Sequence, residues 1–140
     1  MDYLDAYKLK ITNKHLDVMG HVNHAVYLQI MEDARWNLYD QFGYTKKHIE
    51  KEKRGPIVLE MHVKYRKEII TNEIITVKSH GLEYSSILGK ISQMILKENG
   101  KIAAHAEIIF SYFDLQNRKL IFPSGDWAQM HNQLLRRSTS

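Results

Sequence analysis

The residues best suited to chemistry lie together in one stretch, residues 17–35, with the sequence DVMGHVNHAVYLQIMEDAR. Asp17 supplies a carboxylate, and His21, Asn23 and His24 supply imidazole and amide groups just before an apolar pattern with helical spacing begins. The first N–H groups of a helix have no partner within the helix and lie at the positive end of its dipole. A carboxylate, a phosphate or a developing oxyanion can therefore bind at this point.

Simpler roles remain open for the same residues. Aspartate favours turns and helix caps on its own account, so Asp17 could do no more than close a loop. Two histidines three residues apart beside an aspartate also resemble part of a metal site, but no third ligand follows at a recognisable spacing. We therefore expect no metal, and His21 and His24 can be hydrogen-bonded turn residues.

The stretch also resembles the opening signature of a known family. Its pattern, Asp-x-x-Gly-His-Val-Asn-His-x-x-Tyr-Leu-x-x-x-Glu-x-Ala-Arg, is similar to that of the hotdog-fold acyl-CoA thioesterases of the 4-hydroxybenzoyl-CoA thioesterase type. The resemblance implies an α+β fold and a single hotdog thioesterase domain over residues 1–140. In that fold a five-stranded antiparallel sheet wraps around a long central helix, and a C-terminal helix follows.

Catalytic roles follow from the resemblance. Asp17 would be the catalytic carboxylate, as a nucleophile or as a general base on water, in the hydrolysis of an acyl-CoA to free acid and CoA. The backbone amide of His24, at the helix start, would be the oxyanion donor, and the role of its imidazole stays open. Glu32 is the reserve catalytic candidate, because another branch of hotdog thioesterases uses a helix carboxylate.

Substrate contacts are expected from residues in and beyond the same stretch. Asn23 can cap the helix and fix the loop, while Tyr27 is either a core residue or part of the site. Because CoA carries phosphates, a basic rim is expected at the mouth of the site, although surface solubility explains basic residues equally well. The candidates for this rim are Lys64, Arg66, Lys67 and Lys90. CoA is part of the substrate, so no separate cofactor is expected.

Two other functions stay open beside the thioesterase. One is a hotdog hydratase or dehydratase acting on acyl-CoA, but its pairing of His and Asp is not found here at the family's spacing. The other is a non-catalytic hotdog protein that binds acyl-CoA as a sensor. A sensor would usually carry an output segment, for which 140 residues leave no room.

Composition excludes several classes of protein. Hydrophobic residues make up 44% and charged residues 26%, as in a globular domain, and the 20 Lys and Arg against 16 Asp and Glu are scattered without the stripe of a nucleic-acid binder. The absence of cysteine excludes disulfides, thiolate zinc sites and a cysteine nucleophile. With no signal-peptide pattern and no apolar run near the ~18 residues of a membrane helix, we expect a cytoplasmic protein.

The assembly expected from the resemblance is a homodimer or a homotetramer of dimers. A single sheet leaves exposed strand edges, which the family covers by joining two sheets edge to edge. Glu68 and Asn72-Glu73 stand where the family usually has Pro and then Gly-Asp, so the contacts of this turn are less defined.

The remaining pattern predicts the elements that position the stretch. The expected helices run from 23–26 to Gly43 and over about 125–135, with a helical turn over 45–53 capped by Thr45. The expected strands cover residues 7–12, 57–66, 74–83, 86–98 and 101–114.

Overall fold

The computed structural model describes residues 4–85 and 87–139. Its elements follow the predicted order of one strand, a long helix, a run of strands and a closing helix. They are β1 (Leu4–Lys10), α1 (His24–Gln41), α2 (Lys46–Glu52), β2 (Arg54–Tyr65), β3 (Ile74–Ser85), β4 (Leu88–Leu96), β5 (Ile102–Asp114), β6 (Lys119–Ile121) and α3 (Gly125–Thr139).

The five longer strands form one antiparallel sheet in the order β1-β3-β4-β5-β2. This confirms the predicted five-stranded sheet. The sixth strand, β6, pairs with the end of β5, in a segment where no strand was predicted. It forms because the Asp114 carboxylate accepts hydrogen bonds from the backbone N–H groups of Gln116 and Asn117, which closes a tight hairpin.

Helix α1 lies against the inner face of the sheet and begins and ends where the sequence predicted. Asn23 caps its N-terminus, and Gly43, at φ +84°, follows its C-terminus. Gln93 joins the helix to the sheet, since its side-chain amide donates to the Met31 carbonyl over 3.1 Å and accepts from Arg35 over 2.9 Å. The buried side chains of α1 are Tyr27, Ile30, Met31, Ala34, Arg35, Leu38 and Tyr39.

Several boundaries differ from the prediction by a few residues, among them those of β1 and α3. β1 is Leu4–Lys10 instead of 7–12, because residues Asn13–His15 form a turn of 3₁₀ helix in which His15 Nδ1 accepts from the Thr12 N–H. α3 extends to Thr139, beyond the predicted end, and buries Trp127 against the rings of Tyr39 and Phe110. The unusual turn at Asn72 does form, with Asn72 at φ +70°.

β2 is an end strand, and its burial matches the alternation of apolar and polar residues in its sequence only in part. Met61 and Val63 pack against the core, but a bulge between Val58 and Glu60 interrupts the register with β5. On an end strand the apolar side chains lack a neighbouring strand to cover them. Ile57, Val58, Leu59 and Tyr65 are consequently 36%, 42%, 45% and 48% exposed.

No helix within the described part of the chain is both long enough and apolar enough to cross a membrane.

Candidate active site

The loop before α1 holds Asp17 in a tight turn. The Gly20 N–H donates to the Asp17 carbonyl over 3.0 Å, and Gly20 adopts φ +80°, which favours glycine. The carboxylate accepts at Oδ1 from the Met19 N–H over 2.9 Å and at Oδ2 from the Asn23 side-chain amide over 3.2 Å. The Met19 hydrogen bond, followed by the one from Asn23, lowers the pKa of Asp17 below its usual value. Asp17 is therefore ionised at neutral pH.

Asn23 couples this carboxylate to the start of the helix. Its Oδ1 accepts from the Ala25 N–H over 2.9 Å, which is the capping interaction predicted for it, while its Nδ2 donates to Asp17. Within the described residues, no acceptor is bonded to the His24 N–H. This amide is thus one of the open donors of the helix N-terminus.

Asp17 and the helix start line a cleft of about 290 Å³. The Tyr65 hydroxyl at the end of β2 donates to the His24 carbonyl over 3.0 Å, and the rings of Tyr27 and Tyr65 meet edge to face at 5.0 Å. Tyr27 is 4% exposed and still lines the cleft, so it serves both the core and the wall. The full lining is Asp17, His21, Val22, His24, Tyr27, Tyr65, Arg66, Lys67 and Glu68.

The basic rim predicted from the sequence is only partly present at this cleft. Arg66 and Lys67 line it, and their backbone N–H groups both donate to the Ala103 carbonyl, which holds the end of β2 in place. Lys64 is exposed on β2 and is not part of the lining. Lys90 lies on β4, where its Nζ is 3.6 Å from the Glu107 carboxylate.

The reserve candidate, Glu32, does not share the cleft with Asp17. It lines a second cleft with Arg35 and Trp36, farther along α1. Within the described residues, no group of three or more His, Asp or Glu side chains is arranged to hold a metal ion.

Three residues of the Asp17 cleft with polar side chains had no predicted binding role: His21, Tyr65 and Glu68. His21 Nε2 is 3.9 Å from Asp17 Oδ1, and its Nδ1 is 3.8 Å from the Glu68 carboxylate. The position of Tyr65 on the apolar face of its strand was a usable signal, because that face points to the helix. Glu68 follows the strand in an irregular turn, where the sequence has no periodicity from which its direction could be inferred.

Comparisons with known proteins agree with this architecture. Residues 11–135 match the thioesterase-like superfamily. Long-chain acyl-CoA thioesterase FadM of Escherichia coli K12 is 29% identical over 133 residues, covering 92% of this chain and 98% of FadM.

Two solved structures from Staphylococcus aureus have the same fold. Protein SAV2348, determined in complex with CoA, superposes with a TM-score of 0.88 at 18% identity, over 96% of this chain and 85% of that one. A DHNA-CoA thioesterase superposes with a TM-score of 0.87 at 23% identity, over 100% and 97%. With the family match spanning nearly the whole sequence, the chain belongs to the thioesterase-like superfamily and has its hotdog fold.

Proposed function

We propose that the chain hydrolyses acyl-CoA thioesters in the cleft formed by Asp17 and the start of α1. The observation that carries the proposal is that an ionised carboxylate and the open His24 N–H line one cleft. Thioester hydrolysis requires both an oxygen nucleophile, or a base that activates one, and a donor for the developing oxyanion. The thioesterase names of FadM and of the structural neighbours support the same reaction.

Asp17 can act by either of two routes. As a nucleophile it attacks the thioester carbonyl, the C–S bond breaks, and CoA leaves as a thiolate that takes a proton from water. A water molecule then hydrolyses the mixed anhydride and restores Asp17. As a general base it removes a proton from the water that attacks the carbonyl directly. The C–S bond of the tetrahedral intermediate then breaks, and the departing CoA thiolate takes the proton from Asp17, which restores the carboxylate.

The electrostatics of the loop act on both routes alike. The hydrogen bonds from Met19 and Asn23 lower the pKa of Asp17, which keeps the carboxylate ionised, as both routes require, and reduces its basicity and its nucleophilicity together. In both routes the His24 N–H, at the positive end of the α1 dipole, stabilises the negative charge on the carbonyl oxygen. Asn23 is a positioning residue, because it holds Asp17 against the helix it caps.

Arg66 and Lys67 are the residues proposed to contact the CoA phosphates. Both are exposed and line the cleft. CoA bound to SAV2348, a protein of the same fold, supports a CoA site in this architecture.

The assembly proposed for this chain is a homodimer formed by pairing two β2 strands, which two dimers can extend to a tetramer. β2 is the last strand of the sheet and carries exposed apolar side chains. Antiparallel pairing centred on His62 places each Glu60 opposite a Lys64, so the edge is complementary in charge to a second copy of itself.

A thiol-release assay tests the proposed reaction. Short, long and aromatic acyl-CoAs are compared at fixed enzyme concentration, and at least one is expected to release CoA well above the uncatalysed rate. FadM makes long-chain acyl-CoAs the first choice.

One observation favours a second candidate, a non-catalytic acyl-CoA-binding protein. Both oxygens of Asp17 already accept hydrogen bonds within the loop, as they would in a purely structural turn. Tight binding of acyl-CoA without turnover of any substrate in the assay would establish this alternative and refute the thioesterase.

A further inference from the structure

The turn between β2 and β3, residues 66–73, is joined to the loop that carries Asp17. The Val22 N–H, near the end of this loop, donates to the Ile69 carbonyl over 2.9 Å. Both residues are buried, with 2% and 0% of their surface exposed. Val22 also pairs with Leu16, on the other side of Asp17. The Ile69 carbonyl is therefore the point at which the turn supports the Asp17 loop.

The middle of this turn needs support from side chains. Glu68 stands where a proline usually restricts the backbone in the family. Backbone hydrogen bonds hold the two ends of the turn, from the Lys67 N–H to the Ala103 carbonyl over 3.1 Å and from the Asn72 N–H to the Ile11 carbonyl over 2.8 Å. Among the described residues, the bond to the Asp17 loop is the one backbone hydrogen bond between the middle of the turn and another element.

Lys97 supplies the missing support from the neighbouring hairpin. It follows the last residue of β4, and a backbone hydrogen bond across the hairpin to β5 fixes its main chain. Its ammonium donates to the Glu68 carbonyl and lies 3.3 Å from Glu73 Oε2. The same Glu73 oxygen accepts from the Ile70 N–H over 3.0 Å. One ammonium thus fixes the residue before Ile69 directly and the residue after it through Glu73.

The pair of Lys97 and Glu73 differs from an ordinary surface ion pair. Its side chains are only 16% and 14% exposed, so water and salt screen the two charges little. A lysine ammonium has three donors, which allows both of its contacts at once. Without the ammonium, the Glu73 carboxylate would be largely buried and would lack its cation, which is strongly unfavourable. The carboxylate would turn towards solvent and release the Ile70 N–H.

We propose that Lys97 is a positioning residue for the thioesterase reaction, because it holds Ile69 and thereby the loop that carries Asp17. The distance between the Asp17 carboxylate and the His24 N–H depends on this loop, and a displacement of about 1 Å can reduce a rate by about 10². Lys97 does not line the Asp17 cleft, so its loss should affect kcat and leave the substrate contacts intact. Only the effect on turnover rests on the proposed function.

Amide hydrogen exchange tests the support of the loop without any turnover. In Lys97→Met, which keeps most of the side chain and removes its charge, the Val22 N–H is expected to exchange at least about tenfold faster. This increase should exceed any change at the amide of Ile108, on a central strand, which reports global stability. Lys101→Met, an exposed change in the same hairpin, is the matched control. Unchanged exchange at Val22 would overturn the proposal.

Turnover decides whether this support matters for catalysis. Lys97→Met is expected to lower kcat about tenfold per folded protein on the best acyl-CoA, with KM changed less than about twofold and Lys101→Met equal to wild type. A normal kcat together with faster exchange at Val22 would make Lys97 structural and refute the positioning role. If the wild type hydrolyses no acyl-CoA, the proposed function fails, while exchange at Val22 still decides whether Lys97 holds the loop.

A second substitution separates the ion pair from a general loss of stability. Glu73→Gln removes the charge that Lys97→Met leaves unpaired, and its amide oxygen can still accept from the Ile70 N–H. The double variant should therefore regain part of the exchange protection and part of kcat. Glu98→Gln, at an exposed carboxylate beside Lys97, should regain neither. Equal recovery by the two additions would refute the assignment. Should Lys97→Met alone fail to fold, the double variant, which has no unpaired charge, replaces it in both measurements.

Discussion

Asp17 has a structural role in its turn and a proposed role in catalysis. Its hydrogen bonds to Met19 and Asn23 fix the loop, and the same bonds keep the carboxylate ionised beside the helix N-terminus. A structural role and a catalytic role therefore predict the same geometry. They differ in what happens when the charge is removed and the shape is kept.

We expect Asp17→Asn to remain folded and to lose kcat by a factor of about 10² or more. Asparagine keeps the size and the acceptor of the turn, but an amide is neither a nucleophile nor a general base at neutral pH. KM should change little, because the cleft is otherwise intact. The measurements are kcat and KM on the best acyl-CoA, with a melting curve and with Asp40→Asn, an exposed change at the end of α1, as the control. Turnover within a few-fold of wild type would make Asp17 structural.

Arg66 and Lys67 should act on binding alone. These cations are exposed, so each phosphate contact is screened by salt and contributes about 0.5–1 kcal/mol, which corresponds to a roughly two- to fivefold rise in KM for Arg66→Gln or Lys67→Gln. Added salt should raise the KM of the wild type in the same way, with kcat nearly constant. Lys90→Gln, whose cation faces Glu107, is the matched control. A KM that ignores both salt and these variants would exclude the two residues from CoA binding.

At the level of the elements, α3 carries a group that makes stability depend on pH. His131 is 1% exposed, and its ring stacks on Trp127 at 5.9 Å and meets Phe110 edge to face at 5.3 Å. Burial lowers the pKa of His131 from 6.5 to about 4. Above pH 6.5 the His131 ring is neutral in both the folded and the unfolded chain. As the pH falls from 6.5 towards 4, the unfolded chain takes up a proton that the folded ring does not accept, so acid favours unfolding.

The expected loss of unfolding free energy over this range is on the order of 3 kcal/mol. Urea unfolding at several pH values measures it, and His131→Gln should remove this share of the pH dependence whatever its effect at neutral pH. If wild type and His131→Gln lose stability in parallel, the folded ring titrates normally.

The elements that the sequence predicted well are those with strong local signals. Asn23 and Gly43 mark the ends of α1, and Thr45 caps α2. Asn99-Gly100 lies between the strands predicted over 86–98 and 101–114, with Gly100 at φ +84°. β6 was missed because three residues are too few for periodicity, and its existence depends on the Asp114 turn. The bulge in β2 was missed because it arises from pairing with β5, which alternation along one strand does not encode.

The structure brings only some of the predicted site residues together, because only those that are near in sequence had a strong local signal. Asp17, Asn23 and His24 are near in sequence, so their proximity follows from one loop and one cap. Arg66 and Lys67 meet them only because β2 ends beside the start of α1. The charge of Lys90 gave no sign of its pairing with Glu107 across two strands, and Glu32 occupies another cleft because the helix carries it away from the loop.

At the scale of the whole molecule, the proposed dimer has a charge pattern that can be reversed. Lys64→Glu would place two acids opposite each other at two symmetric positions, and we expect the dimer dissociation constant to rise roughly tenfold. Adding Glu60→Lys in the same chain restores opposite charges and should restore the dimer. Light scattering over a dilution series measures both variants. Failure of the double variant to recover would exclude this register, and an active wild-type monomer at micromolar concentration would exclude the dimer.

The open edge of β2 also affects how the protein is made and stored. Unless the second copy of the proposed dimer covers it, its main-chain N–H and C=O groups and the run Ile57, Val58, Leu59 form a template on which another extended chain can add. The charged and polar groups of Glu60, His62 and Lys64 that follow restrict this growth to the first half of the strand. Correct pairing and aggregation thus compete for one surface during refolding. Refolding at low protein concentration should therefore give a higher yield of native protein than refolding at high protein concentration.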